Sequence, residues 1–174
     1  MSEIGFFQRL RDDHGRLLAE LEALESTAEA PASRPRGIDE LRGLVVLLER
    51  ECAAHMRAEE EALFPALVGA LAEARASVTP LVAEHAELNE MLANLAGVLA
   101  GPAGPERDEQ IAVQVRDFVD LFRIHVRKED ALVFRVAERV LPESTLQELA
   151  ERWLLHHPRS AGEGPRTTRK GPNP

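Results

Sequence analysis

Two stretches of the chain repeat one design: His55-Met56-Arg57-Ala58-Glu59-Glu60 followed by Phe64, and His125-Val126-Arg127-Lys128-Glu129-Asp130 followed by Phe134. Each presents His-x-x-x-Glu, and side chains at i and i+4 of a helix share a face, about 5 to 6 Å apart at Cβ. A second matched pair precedes each copy, Asp13-His14-Gly15-Arg16-Leu17 and Glu84-His85-Ala86-Glu87-Leu88. The chain thus reads as two helix pairs of one design. Any fold it adopts must either gather four histidines and two carboxylates or scatter them through apolar seams.

The seams themselves predict helices. Phe7, Leu10, His14, Leu17, Leu21 and Leu24 recur at steps of three and four, which places a first helix from about Ile4 to Glu25. Leu41, Val45, Leu48, Cys52, His55, Glu59, Ala62 and Ala66 mark the second. Pro65 cannot donate to the carbonyl of Glu61, so this helix should kink just past Glu59; the other copy has no matching proline. Thr79-Pro80 reads as the cap and first turn of a third helix with seam Leu81, His85, Leu88, Leu92, Leu95 and Leu99. After the break at Ala100-Gly101-Pro102-Ala103-Gly104, a fourth helix starts at Pro105, with seam Ile111, Val115, Phe118, Phe122, His125, Glu129, Leu132 and Val136. A short fifth helix is expected from Ser144, with Gln147 placed for a capping box and Leu146, Leu149 and Trp153 packing on the bundle.

These helices predict an all-α, up-down-up-down antiparallel four-helix bundle with a fifth helix appended over residues 1–157, and a disordered basic tail over 158–174. A chain of 174 residues suffices for one core of this kind. One leg strains the geometry. If the second helix reaches Glu73 it descends about 27 Å past His55, whereas His85 lies only about 8 Å into the third helix. The loop must then climb roughly 20 Å, unless the second helix ends soon after Pro65.

The net charge of −9 includes a tail in which Arg159, Arg166, Arg169 and Lys170 face only Glu163, so the body is more acidic still. Such a surface argues against nucleic acid as a partner. No apolar run approaches the ~20 residues of a membrane span, no signal core follows a basic start, and Cys52, alone, forms no internal disulfide. A soluble protein of a reducing cytoplasm is expected, with any protein partner left open.

Imidazoles and carboxylates packed in one low-dielectric layer need partners, and a cation satisfies all of them together. If seams take two positions in seven, four histidines land there by chance about once in 150 trials. Nitrogen and oxygen donors without thiolate suit iron, zinc or manganese, and two carboxylates can bridge a pair of ions. Glu60, Glu61, Glu84 and Glu87 are further candidates to complete such a site, although a glutamate on a helix flank is ordinarily solvated. Met56 and Cys52 read as packing, and His156 and His157 as the end of the fifth helix.

The order His, His-x-x-x-Glu, His, His-x-x-x-Glu over about residues 4–140, with the run Glu59-Glu60-Glu61-Ala62-Leu63-Phe64-Pro65, resembles the hemerythrin-like HHE cation-binding domain. The resemblance implies a non-haem di-iron centre held by His14, His55, Glu59, His85, His125 and Glu129, with the two glutamates bridging, and a role in binding O2, NO or peroxide. Oxygen carriers of that family have a second histidine on the third helix; here Leu81 and Asn89 stand one turn either side of His85. They also use the acid five residues after the last histidine, here Asp130, whereas the internal repeat favours Glu129. The missing fifth histidine points toward sensing, iron handling, redox protection or a peroxide-consuming activity. The contrasting reading is a metal-free helical interaction module.

Overall fold

The computed structural model of the chain describes residues 5–29 and 37–156, so Ile4, part of the first loop and the basic tail lie outside the described residues. Helix α1 spans Phe6–Ala28, α2 Gly37–Ala58, α3 Phe64–Ala70, α4 Arg75–Ala100, α5 Pro105–Lys128, α6 Arg135–Val140 and α7 Glu143–His156. Helix α3 continues α2, and α6 continues α5, each through a short π-helical segment, Glu59–Leu63 and Glu129–Phe134. The long helices pack α1 on α2, α2 on α4, α4 on α5 and α5 back on α1, which is the up-down-up-down bundle. No described helix is long and apolar enough to cross a membrane.

Both π segments begin at the glutamate of a His-x-x-x-Glu repeat. In the first, the Phe64 N–H reaches back to the Glu59 carbonyl, one residue further than in an α-helix. The extra residue shifts the seam by one position. After Glu59 the core takes Leu63, Phe64 and Leu67 rather than Ala62 and Ala66; after Glu129 it takes Val133, Phe134 and Ala137, while Leu132 is 56% exposed. The kink expected from Pro65 is therefore the wrong cause. The proline-free copy carries the same π segment, and in both copies the inserted residue brings bulky Phe64 or Phe134 into the core.

Two further expectations need correction. Helix α4 begins at Arg75, after a 3-10 turn at Ala72–Ala74, so Pro80 sits inside the helix and Thr79 is not its cap. Thr79 Oγ1 instead donates to the Arg75 carbonyl, and buried Val78 and Ala74 join the core, which offsets the bond that Pro80 cannot make to Ala76. The early start also settles the strained leg: α3 ends at Ala70, and His85 lies about 15 Å into α4 rather than 8 Å. Helix α7 starts at Glu143, with the Leu146 N–H bonded to the Pro142 carbonyl, so Ser144 lies in its first turn.

Apolar packing divides into two clusters. One holds Leu17, Leu21, Leu48, Leu92, Phe118 and their neighbours; the other holds Phe7, Leu10, Leu63, Leu81, Phe134 and Trp153. The histidines and paired glutamates form a polar layer between them. Cys52 is fully buried in the first cluster, and burial, with the nearby Glu51 charge, pushes its thiol up to about 12, in keeping with a small packing residue.

Candidate metal centre

All six residues singled out in the repeats are buried, none more than 3% exposed. They come from four helices: His14 from α1, His55 and Glu59 from α2 and the segment after it, His85 from α4, His125 and Glu129 from α5 and the segment after it. Two groups result, His14, His55, Glu59, Glu129 and Glu59, His85, His125, Glu129, each with one donor atom per residue within 4.8 Å of the others. The glutamates belong to both groups.

Within each group the imidazoles point Nε2 inward. His14 and His55 bring these nitrogens to 2.9 Å, His85 and His125 to 3.0 Å. The glutamate oxygens divide between the groups. Glu59 Oε1 lies 3.5 Å from His55 Nε2 and Oε2 3.6 Å from His85 Nε2. Glu129 Oε2 lies 3.2 Å from His14 Nε2, and Oε1 3.1 Å from His125 Nε2 and 3.5 Å from His85 Nε2. None of the four oxygens has a hydrogen-bond partner among the described residues.

The outer nitrogens each face an acid from a neighbouring helix. His85 Nδ1 donates to Glu60 Oε1 at 2.7 Å and His125 Nδ1 to Glu84 Oε2 at 3.0 Å. Lys128 Nζ donates to the other oxygen of Glu84. In the second group His14 Nδ1 lies 3.4 Å from Asp130 and His55 Nδ1 4.0 Å from Asp13, neither close enough in geometry for a hydrogen bond. Asp13 is itself buried and pairs with Arg16. The rule is the same in both groups: the acid before one histidine backs its neighbour, and the acid after the shared glutamate backs the other. Glu60, Glu84 and Asp130 thus occupy outer positions, while Glu61 and Glu87 lie on the exposed surface.

This pattern has a direct electrostatic consequence. A neutral imidazole that gives its Nδ1 proton to a carboxylate keeps a bare lone pair on Nε2. Two such lone pairs about 3 Å apart, beside carboxylate oxygens lacking donors, demand positive charge. The protonation balance expresses that demand. Burial works against a charged His14 and His125, but Asp130 with Glu129, and Glu129 with Glu84, outweigh it and raise both above the ordinary value. Burial holds His55 well below it, with the neighbouring His14 adding to the effect. Burial and the Glu129 charge push Glu59 well up, whereas the imidazoles of His125, His14 and His85 overcome burial and hold Glu129 well below the carboxylate range. A buried cluster of this chemistry fits a metal site.

Aromatic rings complete the walls. The repeat phenylalanines stack on the histidines of the opposite helix pair: Phe134 on His14, with ring centroids 5.3 Å apart and planes 10° from parallel, and Phe64 on His85, at 5.8 Å and 19°. Trp153 of α7 sets its ring edge-on to His55 at 5.7 Å. Leu81 is buried and Asn89 is exposed, with its amide directed to Met56 Sδ. Sequence reasoning found the inner residues but missed the parts played by Asp13, both phenylalanines and Trp153. The signal for Asp13 was its matched place with Glu84.

A family model described as the hemerythrin HHE cation binding domain matches residues 6–137. No curated protein matches the chain.

Proposed function

We propose, because this chain belongs to the hemerythrin HHE cation-binding domain family, that its buried cluster holds two iron ions and through them engages O2, NO or peroxide. His14 and His55 would hold one ion, His85 and His125 the other, and Glu59 and Glu129 would offer one oxygen to each. The observation that carries this reading is the convergence of four Nε2 atoms and four undonated glutamate oxygens in one buried layer. Bound iron supplies an exchangeable coordination position and a change of oxidation state. The chain's own contribution is to fix the imidazoles through outer carboxylates, to exclude water with Phe64, Phe134 and Trp153, and to release the protons held by His14, His125 and Glu59 as metal enters.

The purified full chain, grown with iron, should carry about two iron atoms per chain, as the two donor groups imply, and its optical spectrum should respond to azide, O2 or peroxide. Less than one transition metal per chain would sink the reading. A second reading rests on Leu81 and Asn89, neither of which delivers a donor to the His85 side. That leaves the His85–His125 position short of imidazoles and favours consumption of peroxide over reversible carriage. Catalytic release of O2 from peroxide, or steady oxidation of an added reductant, supports it; a single stoichiometric spectral change argues for binding alone.

A further inference from the structure

We infer that Trp153, on a helix beyond the segment matched by the family model, is the positioning residue for His55 and ties α7 to the metal position that His55 would serve. The assignment rests on the proposed metal reading. Three of the four histidines have a visible means of orientation. His85 and His125 donate Nδ1 to glutamates at 2.7 and 3.0 Å, and His14 lies flat against Phe134. His55 has neither: Asp13 stands 4.0 Å from its Nδ1, and among the described residues no phenylalanine stacks on it.

What fixes its ring is packing from two sides. The His14 ring lies 4.7 Å away on the inner side, and Trp153 closes the other with its plane at 86° to the imidazole. Trp153 is 2% exposed and braced edge-on by Phe6. The small cavity beside it, lined by Phe6, Ala58, Ala62, Leu149 and Trp153 among others, measures about 10 Å³, no more than a single water requires. An indole held this firmly restricts the neighbouring imidazole much as a hydrogen bond does, by removing its alternative rotamers. The family match stops at residue 137 and α7 runs from Glu143, so this support is added to the matched bundle rather than part of it.

The test titrates cobalt(II) into the full chain after its own metal has been removed. Wild-type protein should take up two equivalents. Trp153→Ala should weaken one of the two by about 10- to 100-fold, the range expected when a partner that orients a ligand is lost, and leave the other unchanged. Trp153→Phe, which keeps an aromatic edge, should recover most of that loss. In the cobalt-loaded protein, the shifted exchangeable Nδ1–H resonance of His55 should move or vanish in Trp153→Ala and move less in Trp153→Phe, while those of His85 and His125 stay in place. Equal weakening of both equivalents, or wild-type affinities in Trp153→Ala, would overturn the assignment while leaving the metal centre intact. If Trp153→Ala fails to fold, Trp153→Leu, which fills much of the volume without an aromatic edge, decides in its place: an unmoved His55 resonance and two wild-type affinities reject the assignment. A wild-type chain that takes up no cobalt overturns both this assignment and the reading beneath it.

Discussion

The two halves of the polar layer share an inner design and differ in their outer one. Around His85 and His125 the supporting acids are glutamates, Glu60 and Glu84, and both reach hydrogen-bond distance. Around His14 and His55 the corresponding acids are aspartates, and neither makes a hydrogen bond: Asp130 stands 3.4 Å from His14 Nδ1 at an unfavourable angle, and Asp13 stands 4.0 Å from His55 Nδ1. The aspartates are one methylene shorter at matching places in the repeat, and on the Asp13 side that difference goes with a 4.0 Å gap. The aspartate half replaces the missing bonds with ring contacts, Phe134 on His14 and Trp153 on His55. A duplicated motif can therefore keep its donor atoms while its two halves diverge in how tightly those donors are aimed.

The most damaging change should be one that strikes both halves. Glu129→Gln removes the charge that three imidazoles surround, and metal analysis should find the content dropping from two to below one per chain, with affinity falling by more than about 100-fold. Separating the halves takes a subtler pair. Glu84→Gln should weaken one position about 10- to 100-fold, whereas Asp13→Asn, which breaks no hydrogen bond to His55, should change affinity less than about threefold. Equal effects would erase the difference between the two halves. Conversely, Asp13→Glu with Asp130→Glu should tighten the weaker position by up to about tenfold, seen as slower transfer of metal to a chelator.

The smallest effect concerns protons. His14 and His125 have raised folded values, so their contribution to the stability of the metal-free chain is complete below about pH 6.5 and is lost as pH rises through those values; Glu59, also raised, acts in the same direction. Glu84 and Glu129, held low, contribute above about pH 4.3 and lose it as pH falls; His55, held neutral, also opposes acid. From pH 6.5 to 8 the metal-free chain should lose a few degrees of melting temperature, while the loaded chain, freed of proton competition, should hold or gain. Parallel slopes in the two forms would contradict this balance.

Much of this arrangement is legible in the residues. Histidines that interrupt leucine seams at matched places announce a shared layer, and the acids beside them announce its outer support. The π segments are harder to see because apolar periodicity reports which face is buried, not which carbonyl each N–H reaches. A trace was present: past Glu59 the bulky Leu63, Phe64 and Leu67 run one step off a seam that otherwise calls for Ala62 and Ala66. The different places of Glu129 and Asp130 were hidden for the same reason: the segment starts at Glu129, which faces the inner nitrogens, and Asp130 stands on the outer side of His14. The start of α4 was obscured by Thr79-Pro80, a sound local signal overridden by the burial of Val78. The approach of α7 to His55 lies beyond any local pattern, because it depends on how the bundle's end is closed.

That closure gives the protein a built-in optical gauge. The chain has one tryptophan and no tyrosine, so its near-ultraviolet emission comes from Trp153. The indole lies edge-on against His55, one of the four imidazoles of the centre. A transition ion arriving beside His55 is therefore placed to quench it, and the filling of the centre becomes visible as light without any attached dye.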